Sequence, residues 1–99
     1  MIETYLAQHY RQLIKEVLVS HKVKAMRFIG GDFAKKYSDA LVYENGDMLI
    51  YYHGTRISPV RNFFFDFTLD FAVLLAEIET DLFRAKRGKT KHIEFDFYE

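Results

Sequence analysis

The sequence predicts an α+β fold: a mostly antiparallel sheet around a central 40–53 hairpin, with two helices packed on one face. Three observations predict it. Asn45-Gly46 separates two apolar runs, Ala40-Leu41-Val42-Tyr43-Glu44 and Asp47-Met48-Leu49-Ile50-Tyr51-Tyr52-His53. Asn-Gly is the strongest short-range hairpin signal, because both residues tolerate positive φ. Two long stretches, one near each end of the chain, repeat apolar residues every three or four positions, the period of a half-buried helix. The closing residues alternate polar and apolar, the period of a half-buried strand. With 99 residues the chain supports one such domain around a single modest core.

The elements follow in order. Ile2, Leu6, His9, Leu13 and Val17 recur at helical spacing, flanked by Tyr5, Tyr10, Ile14 and Leu18, with Gln8, Arg11, Gln12, Lys15 and Glu16 opposite. This is an amphipathic helix of roughly 18 residues, ending near Ser20-His21, with His9 on its apolar side as a core or boundary residue. Val23 to Ile29 reads as a strand, broken by Gly30-Gly31-Asp32. Residues 33–39 are expected as a polar connection. In the hairpin, a two-residue turn sets 43 opposite 48, 42 opposite 49 and 41 opposite 50. Leu41, Tyr43, Met48, Ile50 and Tyr52 then share one face, and Ala40, Val42, Leu49 and Tyr51 the other.

Gly54 to Asn62 is a second loop. Residues 62–66 read as extended, before a helix from Asp66 or Thr68 to Ala85. The alternative is a longer helix opened by Ser58-Pro59 as N-cap and N1. Arg84, Lys86 and Arg87 complement the end of that helix, and Gly88 is the candidate left-handed cap. In the final strand Ile93, Phe95 and Phe97 face the core, and His92, Glu94 and Asp96 face solvent.

Composition excludes more than it identifies. Fourteen basic and fourteen acidic residues cancel, so the global field favours neither nucleic acid nor a membrane surface. There is no Cys, which removes disulfides and thiolate metal sites. No run of about 18 apolar residues occurs, and no basic segment leads into an apolar one, so neither a membrane span nor a secretion signal is expected. The expected location is intracellular, with no cofactor and no small-molecule substrate. Ten Phe and seven Tyr make the chain 17% aromatic. Most of these rings fill the core, while Tyr43, Tyr51, Tyr52 and Tyr98 are candidates for a protein-binding face.

Four constellations bear on chemistry. His92, Glu94 and Asp96 share a strand face at a spacing that can present donors to a metal, but metal sites recruit ligands from several elements. A charged solvent face explains the same residues and discourages edge aggregation, so no metal site is assigned. Arg84 to Lys91 holds five cations in eight residues. Its Gly88-Lys89-Thr90 does not make a phosphate loop, since Phe83 stands where the first Gly belongs and the loop leaves a helix. Lys22, Lys24, Arg27, Arg84, Lys86, Arg87, Lys89 and Lys91 form the candidate nucleic-acid patch, which Lys35, Lys36 and Tyr37 would extend. Asp66 and Asp70, four apart, share a helix face, which suits capping better than acid–base chemistry. No Ser-His-Asp set is present, because Ser20, Ser38 and Ser58 lack a nucleophile-elbow context.

The Phe63-Phe64-Phe65 run and the Tyr/Phe-rich terminal strand, in a very short chain without catalytic motifs, give it a texture. In this it resembles the small orphan proteins of filamentous double-stranded-DNA viruses that infect acidophilic, thermophilic archaea. Few amide residues (Gln8, Gln12, Asn45 and Asn62) and no Cys fit a thermophile. The resemblance implies an intracellular accessory protein acting on host or viral macromolecules, and it transfers no functional residue. The expected function is a non-enzymatic interaction module, dimeric or bound to a protein partner through an aromatic sheet face or the terminal strand. The alternative is weak nucleic-acid binding through the basic patch.

Overall fold

The computed structural model describes residues 2–52, 59–61 and 68–99, with the side chains of 5, 6, 8–51 and 71–99. Along the chain lie α1 (Ile2–Ser20), β1 (Val23–Phe28), α2 (Gly31–Lys36), β2 (Tyr37–Val42), β3 (Met48–Tyr52), β4 (Pro59–Arg61), α3 (Thr68–Ala85) and β5 (Ile93–Phe97). The strands form one sheet in the order β4-β3-β2-β1-β5, with every neighbouring pair antiparallel. The β2–β3 hairpin is therefore central. The short β4 places Pro59 on an edge, where its missing N–H leaves no ladder bond unmade. The extended segment expected at 62–66, the Ser58 cap and the Asp66/Asp70 pair fall wholly or partly outside the described residues and side chains.

The core forms where the apolar stripes of two helices meet one face of the sheet. Ile14 and Leu18 of α1 and Leu74 and Ile78 of α3 have no exposed surface, and Phe71, Leu75 and Leu82 join them. Below them lie Val23, Met26, Phe28, Ala40, Val42, Met48, Ile50 and Ile93. Two helices on one face is the expected α+β arrangement. Within α1 the buried stripe is not the expected one. Tyr10, Leu13 and Val17 are half-buried beside Ile14 and Leu18, while Tyr5, Leu6 and His9 are exposed. Among the described side chains of α1, those that reach the core run from Tyr10 to Leu18, and His9 is a surface residue, with its ring 5.9 Å from that of Tyr10.

Residues 33–39 are not a polar connection. Gly31–Lys36 form α2, with Asp32 in the first turn and Lys35 and Lys36 in the last, the order its dipole favours. Phe33 anchors this helix. Its ring lies 6.3 Å from that of Phe28 and 6.2 Å from that of Tyr37, and all three rings are buried. One large apolar side chain beside one alanine in a six-residue helix gives no periodicity, which is why the sequence reads as loop there.

The hairpin register differs by one residue from that of a two-residue turn. Val42 pairs with Met48, Leu41 with Leu49 and Ala40 with Ile50. Gly46 N–H donates to the Tyr43 carbonyl at 2.8 Å, Tyr43 N–H donates to Asp47 at 2.8 Å, and Gly46 has φ +91°. This is a three-residue loop, a type I turn followed by a left-handed glycine. The Asn45 carboxamide oxygen accepts the Asp47 N–H at 3.0 Å, and Lys15 holds the Asp47 carboxylate at 2.9 Å. That Lys15 bond keeps the Asp47 carboxyl below the usual range. The shift regroups the faces, as a one-residue change of pairing must. Ala40, Val42, Met48 and Ile50 are buried together, while Leu41 and Leu49 turn to the opposite side.

A Cβ at Gly46 would stand 2.9 Å from the Lys15 carbonyl oxygen of α1. Gly46→Ala therefore combines left-handed strain with a backbone clash. It is expected to cost about 2 kcal/mol, a melting temperature lower by roughly 8–16 °C. An unchanged melting temperature would contradict this turn.

Candidate interaction surfaces

Strand pairing places two rows of residues on the face away from the helices. One runs Asp96, Ala25, Leu41, Leu49 across β5, β1, β2 and β3. The other runs Glu94, Arg27, Asp39, Tyr51. Leu41 is 44% exposed, with Ala25, Leu49 and Tyr51 half-buried beside it. Among the described residues no helix lies over this face. Register shifts at Val23/Ala25 and Tyr37/Asp39 show where the ladder is interrupted. Bulged residues let a strand present two consecutive side chains on one side. Lys24 thus joins Ala25 on the open face and reaches Asp96 at 3.8 Å, as Arg27 reaches Glu94 at 3.9 Å. Both pairs are well exposed, so they order the surface and add little stability. The Ser38 hydroxyl donates to Asp39 at 2.7 Å.

The four candidate tyrosines do not form one surface. Tyr51 lies on the open face. Tyr43 and Tyr98 sit at the end of the sheet, lining a cleft with Val19 and Lys22. The Tyr98 hydroxyl donates to the Val42 carbonyl at 2.7 Å. Tyr52 lies outside the described side chains.

The basic residues are also divided. Lys22 has φ +54° and closes α1, its N–H donating to Val19. It lies beside Val23, which pairs with Phe97, whereas Lys91 lies before Ile93, which pairs with Phe28. The two therefore mark opposite ends of β5. Lys24 and Arg27 are on the open face with acidic partners, Lys35 is 3.6 Å from Asp32, and Tyr37 is buried. What remains together is the end of α3. Gly88 has φ +70°, Lys89 N–H donates to Arg84 and Gly88 N–H donates to Ala85. That is the expected glycine-closed terminus, and it turns Arg84, Arg87, Lys89 and Lys91 around one cleft of ≈ 740 Å³ with Glu79, Thr80 and Phe83. Lys86 lies on the other side, near His21 of α1.

His92, Glu94 and Asp96 are not brought together. Glu94 and Asp96 point to the open face, while His92 Nδ1 lies 3.0 Å from Glu77 Oε1 on α3. The ring packs over Gly30 and Gly31, where a Cβ would stand 2.5 Å from the Lys91 carbonyl oxygen or 3.2 Å from the ring nitrogen. Among the described residues no group of three or more acidic or histidine side chains is placed to hold a metal ion.

The functional residue not singled out from the sequence is Asp81, 1% exposed. Its Oδ2 accepts the N–H groups of His92 and Ile93, each at 2.7 Å, and Arg84 donates to Oδ1 at 3.0 Å. Burial alone would raise its pKa, but those donors reverse the shift and hold the carboxyl below its usual range. Glu77 goes the other way. Burial pushes its pKa up against the opposing pull of His92, and its Oε2 is buried without a hydrogen-bond partner. The available signal was a charged residue seven places after Leu74 and three after Ile78, inside the apolar stripe.

Among the described residues no helix is long and apolar enough to cross a membrane. No protein-family model matches the chain, and neither a curated protein nor a solved structure shows significant similarity to it.

Proposed function

We propose that the chain is a non-enzymatic interaction module that pairs with a second copy of itself through the face of its sheet opposite the described helices. The observation that carries this reading is the registered row Ala25, Leu41, Leu49, apolar side chains on three adjacent strands with no described element above them. Contiguous exposed apolar surface with a polar rim is the mark of an interface. Charge supports a copy of the same face as the occupant. The cations of β1 lie between the anions of β5 and β2, so a two-fold axis between β1 and β2 sets each Arg27 over the facing Asp39.

The terminal strand is the weaker route to a dimer. β5 is an edge strand, but antiparallel pairing with itself that keeps Phe95 and Phe97 on the core side sets Glu94 and Asp96 against one another. Like charges directly opposite are destabilising. Beside the resemblance to archaeal viral proteins, this reading describes an accessory protein of the host cytoplasm that acts by assembly.

Sedimentation equilibrium tests it. The wild type is expected to dimerise reversibly. Leu41→Lys, at an exposed position, should weaken the dimer at least ten-fold, about 1.4 kcal/mol for one lost apolar anchor, with little change in melting temperature. A monomer at every concentration, or an equally tight Leu41→Lys dimer, would overturn the reading.

A further inference from the structure

We propose that the cleft at the end of α3 binds single-stranded nucleic acid, with a base stacked on Phe83 and the backbone phosphates on Arg87, Lys89 and Lys91. Phe83 is 58% exposed, a large ring left uncovered on a helix whose other aromatic, Phe71, is buried. The Arg87 guanidinium lies 4.8 Å from the Phe83 ring centroid, so ring and cation, four residues apart on one side of the helix end, already form a stacking platform. Arg87, Lys89 and Lys91 alternate along one connection and all line the same cleft.

The charge that faces this cleft is better defined than the neutral total suggests. Arg84 is committed to the buried Asp81, which leaves, among the described residues, three cations and the carboxylate of Glu79. Among the described residues Lys89 and Lys91 form no ion pair. A flat aromatic surface beside a short run of cations is how unpaired strands are held, since every base offers a π-face and every link a phosphate. Cations strung along a connection suit consecutive phosphates better than one terminal phosphate. Duplex offers no free base to Phe83. The site is separate from the open sheet face, where Lys24 and Arg27 are matched by Asp96 and Glu94.

The test is fluorescence anisotropy of a labelled deoxythymidine oligonucleotide with the intact chain, from low to physiological salt. Binding is expected at low salt, with a log–log salt slope of about −2 for three phosphate contacts. Phe83→Ala should weaken it roughly ten- to hundred-fold, and Phe83→Tyr should restore most of it. Lys89→Gln with Lys91→Gln should weaken it and flatten the slope. Lys24→Gln with Arg27→Gln and Leu41→Lys should leave it unchanged, which separates this proposal from the sheet-face dimer. Phe83, Lys89 and Lys91 are surface residues, so circular dichroism is expected to show all variants folded. No binding at low salt would overturn the proposal, as would duplex binding as tight as single strand or a Phe83→Ala variant that binds like wild type. Displacement by deoxythymidine monophosphate as effective as by an oligonucleotide would also overturn it, by showing a mononucleotide site.

Discussion

Asp81→Ala is expected to cost about 4 kcal/mol, a fall of roughly 16–32 °C in melting temperature for a domain of this size. The carboxylate is the joint between α3 and the start of β5. Removing it leaves the N–H groups of His92 and Ile93 without their acceptor and Arg84 without its partner. A buried donor that loses its partner forfeits its whole hydration energy rather than one net hydrogen bond. Since small domains are stable by only about 5–15 kcal/mol, the variant should be partly unfolded at modest temperature. Asp81→Asn, which keeps one acceptor oxygen, should fall between.

The pH dependence has a definite sign. The folded Asp81 carboxyl titrates below its ordinary value of 3.8. Its stabilisation is thus complete above that pH and disappears as pH falls through the folded pKa. Glu77 has the opposite slope, because its folded pKa lies above the ordinary 4.5. Its contribution is complete below that pH and is lost as pH rises through the folded pKa. Thermal melts of wild type and Asp81→Asn from pH 2 to 7 separate the two. The gap between the curves should be constant near neutrality and narrow below about pH 4. A gap independent of pH would mean that the Asp81 charge does nothing for the fold.

Ile78→Ala should cost about 4 kcal/mol. Ile78 is fully buried between Leu74 and Leu82 on the stripe that α3 lays against the sheet, with a surrounding core too close-packed to collapse into the space left behind. Urea titration should show a lower midpoint at unchanged slope. Val73→Ala, on the exposed side of the same helix, should stay within about 0.5 kcal/mol of wild type. A cost at Ile78 below about 1 kcal/mol would contradict the packing of α3.

Local signals were legible and long-range ones were not. The extent of α1, the Gly88 terminus and the central hairpin each follow from residues within a few positions of one another. The hairpin register did not follow, because Asn45-Gly46 serves both a two-residue turn and the second half of a three-residue one. The contacts that decide, Lys15 to Asp47 and the α1 backbone over Gly46, come from a distant helix. Asp81 was hidden for the same reason, since its donors lie eleven and twelve residues away. The basic patch read as one surface because sequence spacing carries no topology. Pairing β1 with β5 sends Lys22 to one end of the strand and the 84–91 cluster to the other.

The proposed sheet-face dimer is tested most directly by isotope-filtered nuclear Overhauser spectra on a sample mixing labelled and unlabelled copies. Intermolecular contacts are predicted between the Leu41 methyls of one copy and the Ala25 methyl or Leu41 methyls of another. Intermolecular contacts confined to Phe95, Phe97 and the β5 edge, or none at concentrations where the protein sediments as a dimer, would contradict the account.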